Sequence, residues 1–296
     1  MFGPRLQGIL LLVASVTVFA GVDALSKVLV QSLSVSQTLN ARFIFALPFL
    51  LAVTPISHWK GLLRTPHPFL QILRGSTPVI VSLAIVIGVK YLPLADTTVV
   101  VFSAPFLVVA FSGAVLGERV GMRAWVGVIL GFLGVLAVAR PGTAGFSPYM
   151  IFPALAAIFY ATLMFVSRRL VAAGDSANTT LAWTLLVGIF ATAPMVALDW
   201  KPVSATAWML AIASGATFFA AQYLITKAFE FAPANILAPF TYFQILAAAG
   251  LGILFFNEFP DAWTWIGIAI ILISGLIIAS PGEESGKSPA KEAKAP

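Results

Sequence analysis

The chain has no cysteine and only two histidines among its 296 residues. Disulfides, thiolate metal sites and a cysteine nucleophile are therefore excluded. His58 and His67 share one connecting loop, where a histidine is more often solvated than a metal ligand. No H-E-x-x-H pair is present, and no G-x-x-x-x-G-K-[ST] phosphate loop, so the chain carries no ATPase of its own. No metal or cofactor is expected. Charge is scarce as well. Only 9% of residues are Asp, Glu, Lys or Arg, against about 25% in soluble domains. Too few polar side chains remain to cover a water-facing surface. That excludes a soluble enzyme, a disordered chain and a nucleic-acid binder.

What is abundant is hydrophobic, at 60% of residues. The apolar stretches are continuous and about 20 residues long, the length that crosses a bilayer as a helix. A transmembrane barrel would instead alternate apolar and polar residues. The expected fold class is an all-α integral membrane protein. The first apolar run, from about Leu6 to Val22, lacks a small-residue cleavage site and reads as a retained first span.

Ten spans are expected, near 6–29, 36–56, 68–89, 94–116, 122–139, 149–171, 178–198, 205–226, 233–256 and 262–279. The polar segment 282–296 reads as a disordered cytoplasmic tail. With the N-terminus placed inside, the inner segments hold eleven basic residues and the outer ones four, Lys27, Lys90, Arg140 and Lys201. The positive-inside rule then puts both termini in the cytoplasm. The net charge of +6 reflects that bias rather than an anionic partner.

A repeat organises these spans. Shifted by 140 residues, Tyr91–Gly142 falls on Phe231–Gly282 without a gap. Pro93 meets Pro233, Glu118 meets Glu258, Trp125 meets Trp265, Gly127 meets Gly267, and Pro141-Gly142 meets Pro281-Gly282. Two repeats of five spans, 1–142 and 143–281, must enter the membrane from opposite sides, because five is odd. This is the inverted-repeat plan of many secondary transporters, which bind substrate near the midplane between the halves.

The stretch Ala221–Ala279 resembles the second repeat of the drug/metabolite transporter superfamily, EamA type. The first half adds NARFIFALPF at Asn40–Phe49, LRGS at Leu73–Ser76 and LPLADTTVVVFSAPFLVVAFSGAVLGERV at Leu92–Val120. These are similar to the family's arginine in span 2, its Arg-Gly in span 3 and its Pro…Glu pattern across span 4. The resemblance implies a ten-helix carrier of small metabolites, often amino acids, usually moving outward, in the bacterial inner membrane. Within the superfamily the chain looks most like aromatic amino-acid exporters. One departure is that NEFPD in the second repeat lacks the basic residue that follows the glutamate of GERVG in the first.

Charges within spans are costly and are candidates for function. Asp23 lies about 27 Å along the first helix from Arg5, near the outer interface, and Lys27 follows at i+4. With Arg42 they could form a cluster at the outer mouth, either a gate or a clamp for a zwitterion; a snorkelling interfacial pair is the plainer alternative. Arg74 lies near the inner mouth, as substrate attractor or helix anchor. Glu118 and Glu258 close spans on opposite sides and suit capping of helix N-termini. For the binding site, spans 3, 4, 8 and 9 offer Thr77, Ser82, Thr98, Phe102, Ser103, Gln222, Tyr223, Tyr242 and Gln244. Tyr160 and Trp183, on spans 6 and 7, are further candidates. Aromatic walls with a few amide and hydroxyl groups suit an apolar or aromatic amino acid. Ordinary interhelical hydrogen bonding explains a single Ser or Thr equally well. The expected function is amino-acid export by alternating access, with another small metabolite or a drug-like compound as the alternative. An intramembrane enzyme would need clustered acids or histidines at one depth, and a pore would conduct far faster than a carrier turns over.

Overall fold

A computed structural model describes residues 3–116, 120–143 and 145–279. Glu118 and the 282–296 tail, both discussed above, lie outside the described residues. Among the described residues the chain is helical throughout, with no strand. The helices are α1 (Pro4–Leu29), α2 (Val35–Val53), α3 (Pro68–Tyr91), α4 (Leu94–Val101), α5 (Ala104–Leu116), α6 (Met122–Ala139), α7 (Ile151–Ala172), α8 (Ala177–Leu198), α9 (Ala205–Phe231), α10 (Ala234–Thr241), α11 (Phe243–Phe256) and α12 (Ala262–Ala279). Short 3-10 turns occupy Ile56–Gly61 and Pro148–Met150.

Counting α4–α5 and α10–α11 each as one interrupted span, nine stretches among the described residues are long and apolar enough to cross a membrane. Ala262–Ile278, nearly all of α12, is also apolar but falls just short of that length. Of the ten spans expected, nine reach that length among the described residues.

Sequence punctuation sets the helix ends. Ser34 and Gln37 form a reciprocal capping box at the start of α2, satisfying two N–H groups that would otherwise have no partner. Ser176 and Ser204 cap α8 and α9 in the same way from one side. α6 ends on Arg140 (φ 47°) and α11 on Asn257 (φ 54°), both left-handed. Such residues stop a helix by turning its last N–H back to a carbonyl.

Two interruptions fall at matching places. α4 gives way to α5 at Phe102 and Ser103, and α10 gives way to α11 at Tyr242. Pro105 has no N–H to continue the ladder across the first break. Pro239 lies in α10, three residues ahead of the second. Hydroxyls stand in beside each break: Ser103 donates to the Val100 carbonyl at 2.7 Å and Thr241 to the Ala238 carbonyl at 2.7 Å.

Chain direction alternates along the bundle, so it has a near end, where α1 begins, and a far end, where α1 finishes. One apolar cluster joins α1, α2, α3, α8 and α9 around Val22, Phe43, Val79, Leu185 and Phe218. A second joins the remaining helices around Val99, Phe106, Val138, Tyr242 and Ile271. Each draws on both halves of the sequence. α6 and α12 pack tightly through glycine: Gly127 faces Ser274 and Ile278, while Gly267 faces Gly134 and Val138. Missing side chains let the two backbones approach, a common device where lipid supplies no hydrophobic drive between helices.

Candidate functional site

α1 runs through the middle of the bundle in its second half. It packs against α3, α9, α10 and α11, and no residue from Val18 to Lys27 is exposed. Even so, Phe19, Asp23 and Lys27, at i, i+4 and i+8, each keep partial accessibility. That spacing is one helix face. Neighbouring helices flank this face without burying it completely.

Arg42 of α2 reaches the same level. It is 3% exposed. Its Nη2 donates to the Ser26 hydroxyl of α1 at 2.5 Å, and its Nη1 to the Ser82 hydroxyl of α3 at 3.4 Å. The Phe218 ring of α9 lies under the guanidinium, 5.8 Å from its centre. Nε is buried and has no partner. Asp23 and Arg42 are close enough for their charges to interact, yet no ion pair joins them among the described residues.

Lys27 turns away from both. It pairs with Glu258, donates to the Leu92 carbonyl at 2.8 Å and sits over the Phe256 ring. The single cluster of Asp23, Lys27 and Arg42 therefore divides in two. The reason is local. The left-handed turn at Asn257 swings Glu258 back, and its N–H bonds to the Gly252 carbonyl at 3.0 Å. That delivers a full charge to Lys27, one turn beyond Asp23.

Glu258 also accepts from the Leu94 N–H at 3.1 Å, the first turn of α4, where the helix dipole favours a carboxylate. Beside it, the Thr264 hydroxyl of α12 donates to Asp96 of α4 at 2.9 Å. At the rim, Arg140 pairs with Asp261 at 2.6 Å. Asp261 in turn accepts from the Thr264 N–H at 2.9 Å. Partial burial alone would raise the Asp261 carboxyl, but the Thr264 amide and the Arg140 guanidinium outweigh it and hold it below the usual carboxylate range. Together these contacts draw α1, α4, α11 and α12 shut at the far end.

Arg74 lies toward the near end. Its Nε donates to the Ser167 hydroxyl of α7 at 3.3 Å, and its Nη1 to the Thr184 hydroxyl and the Thr180 carbonyl of α8. Tyr160 is within its electrostatic reach. Nearby, Asp175 accepts from Thr65 and Gln71, which ties the α2–α3 connection to the start of α8.

The remaining candidates separate by location. Phe102 and Tyr242, at the two helix breaks, touch with ring centroids 5.6 Å apart. Tyr242 is buried between Phe106 and Gly275, and its hydroxyl makes no hydrogen bond among the described residues. Thr77, Thr98 and Ser103 spend their hydroxyls on carbonyls of their own helices. Ser82, unlike these three, meets a charged group, the Arg42 guanidinium. Trp183 lines an apolar hollow of about 430 Å³ with Leu63, Val187 and Phe190, and its indole N–H has no partner. Gln222 and Gln244 are half-buried. Tyr223 is 42% exposed and stacks on Phe219.

Three residues on these networks escape a sequence reading. Ser26 and Phe218 look like ordinary span residues. Asp96 carries a signal in hindsight, since an acid follows Pro93 in the first turn of a helix.

A bundle of long apolar helices, two of them interrupted at matching places, has the build of a multi-pass membrane protein of the transporter class. The EamA-like transporter family matches residues 6–140 and again 147–280. The chain belongs to that family. It is 27% identical over 266 residues, 90% of each chain, to an S-adenosylmethionine uptake transporter of Rickettsia prowazekii. It is 30% identical to a riboflavin transporter of Vibrio cholerae over 62% of this chain and 61% of the relative. Against the pseudopaline exporter CntI of Pseudomonas aeruginosa it is 29% identical over 65% and 68%. A solved crystal structure shares the fold at a TM-score of 0.60, with 17% identity over 93% of this chain and 95% of the other. None of these relatives is named for amino acids, so the likeness to aromatic amino-acid exporters is not supported.

Proposed function

We propose that the chain is a secondary carrier of small organic metabolites in the bacterial cytoplasmic membrane, working by alternating access between two inverted five-helix halves, with both termini inside. The observation that carries this reading is reciprocity. Phe102 and Tyr242 differ by 140 residues and touch each other, as equivalent residues do on a two-fold axis. Gly127 with Ile278 and Val138 with Gly267 are the same contact made twice under that shift. Helix pairs follow suit: α1 on α9 mirrors α7 on α3, and α2 on α9 mirrors α8 on α3. The two family matches, one per half, support the same plan.

The relatives favour a heteroaromatic metabolite over a simple amino acid. S-adenosylmethionine and riboflavin both present a flat ring system to a site. Stacking on aromatic side chains with a few polar contacts fits the Phe-rich interior.

Purified full-length protein in liposomes tests this. Labelled S-adenosylmethionine is expected to equilibrate saturably without ATP, faster than tryptophan. Flux of tryptophan alone would restore the amino-acid reading. Ohmic conductance in planar bilayers would replace the carrier with a pore.

A further inference from the structure

We infer that the space between Asp23 and Arg42 is the subsite for an amino-acid head group: the Arg42 guanidinium receives its carboxylate and Asp23 its ammonium. This rests on the carrier reading and names the part of the cargo that the charged residues recognise.

A cation at bilayer depth is unfavourable unless it is compensated. Among the described residues Arg42 has two serine hydroxyls as hydrogen-bond acceptors, and its Nε has none. Neutral hydroxyls do not cancel its charge. The carboxylate that could do so, Asp23, stops short of pairing, makes no hydrogen bond among the described residues and retains partial accessibility. A buried cation and a partly accessible anion, close enough to interact yet unpaired, are complementary to a zwitterion. Planar guanidinium donors match a carboxylate in particular.

The surroundings narrow the choice further. Phe218 covers the guanidinium from one side, and Phe19 and Phe43 hold that ring by edge contacts at 6.2 and 6.1 Å. The ligand must therefore approach from the α1 side, where Asp23 lies. Lys27 offers no competing site, because Glu258, the Leu92 carbonyl and Phe256 already engage it. A phosphate or other polyanion would meet Asp23 as a like charge. A ligand without charge would leave both groups uncompensated.

The test compares ligands in pairs that differ only in the head group. S-adenosylhomocysteine carries it and 5′-methylthioadenosine lacks it. Tryptophan carries both charges, while tryptamine lacks the carboxylate and indole-3-propionate lacks the ammonium. Binding is read as thermal stabilisation of the purified full-length chain, and flux in liposomes is read separately. Wild type is expected to prefer the headed member of each pair by at least about tenfold. Arg42→Ala should abolish discrimination against tryptamine and Asp23→Asn that against indole-3-propionate. The Asn variant keeps shape and loses no hydrogen bond, so it keeps the test decisive if Arg42→Ala does not fold. Equal binding of headed and headless partners by wild type overturns the subsite, as does undiminished discrimination in Asp23→Asn. Head-group discrimination in binding without flux of any compound would sustain the subsite and remove the carrier reading. Flux of riboflavin with no binding of headed ligands would do the reverse.

Discussion

Arg42 and Arg74 both lie well inside their helices, and their surroundings differ. Arg74 directs its donors at Ser167, Thr180 and Thr184 and so ties α3 to α7 and α8. Among the described residues Arg42 donates to two hydroxyls, rests on the Phe218 ring, leaves Nε without an acceptor, and lies near an acid it does not pair with. Both side chains meet the same cost of entering the membrane. At Arg74 fixed contacts between helices offset much of it. At Arg42 they do not, and that shortfall is what the proposed head-group subsite would make up. Burial of a charge is therefore a poorer guide to function than the donors it leaves unused.

The largest effect should come from exchanging the fates of these two residues. Arg42→Ala is expected to lower transport efficiency at least about 30-fold, roughly 2 kcal/mol at 1.4 kcal/mol per tenfold, with a modest change in melting temperature. Arg74→Ala should do the opposite. Losing charged hydrogen bonds costs about 2 kcal/mol of stability, while flux per folded molecule stays within about threefold. Folded protein measured by size exclusion, with flux normalised to it, separates the two. Inactive but stable Arg74→Ala protein would reverse the comparison.

A second contrast sets the far end against the interior. Glu258 links Lys27 to the first turn of α4. In Glu258→Gln the helix-terminus contact can survive but the ion pair cannot. Since the chain has no cysteine, Thr97→Cys provides a clean reporter at a buried position on α4. A membrane-impermeant thiol reagent is expected to label it several-fold faster when Gln replaces Glu258. Unchanged labelling would mean that the ion pair plays no part in closing this end.

The sequence conveyed unequal amounts about these regions. Span positions followed from hydrophobic length alone, because lipid demands continuous apolar helices. The match of Phe102 with Tyr242 was visible in the 140-residue shift, as was the suitability of Glu258 for a helix N-terminus. Lys27 was misassigned to Asp23 because i+4 spacing was the only partner information available. Its actual partner is 231 residues away and depends on the turn at Asn257. The contact of Phe218 with Arg42 had no signal, since a phenylalanine in a span looks the same facing lipid or a cation. Tyr242 was read as a cavity wall from its polarity. In the structure its ring is packing, pressed between Phe102, Phe106 and Gly275. Gly275→Ala should then cost about 1–3 kcal/mol, as overfilled sites do, whereas Tyr242→Phe should be nearly silent in stability. A lower melting temperature for Gly275→Ala with intact flux supports packing. Loss of flux in Tyr242→Phe at unchanged stability would return the hydroxyl to the binding site.

The smallest effect belongs to the rim pair, Arg140 and Asp261. Both are partly exposed, and such pairs contribute about 0.5 kcal/mol or less. Alanine is the proper replacement for Arg140. Glycine would relieve the left-handed backbone at φ 47° and mask the loss of charge. Because Asp261 is held below its ordinary 3.8, the contribution is present above that value and disappears as pH falls through the folded carboxyl's own range. The melting-temperature gap between wild type and Arg140→Ala should therefore be full near pH 6 and close toward pH 3. A gap that persists in acid would assign Arg140 a packing role instead, against the backbone at Gly145, where its guanidinium carbon lies 3.3 Å from the place a side chain would occupy.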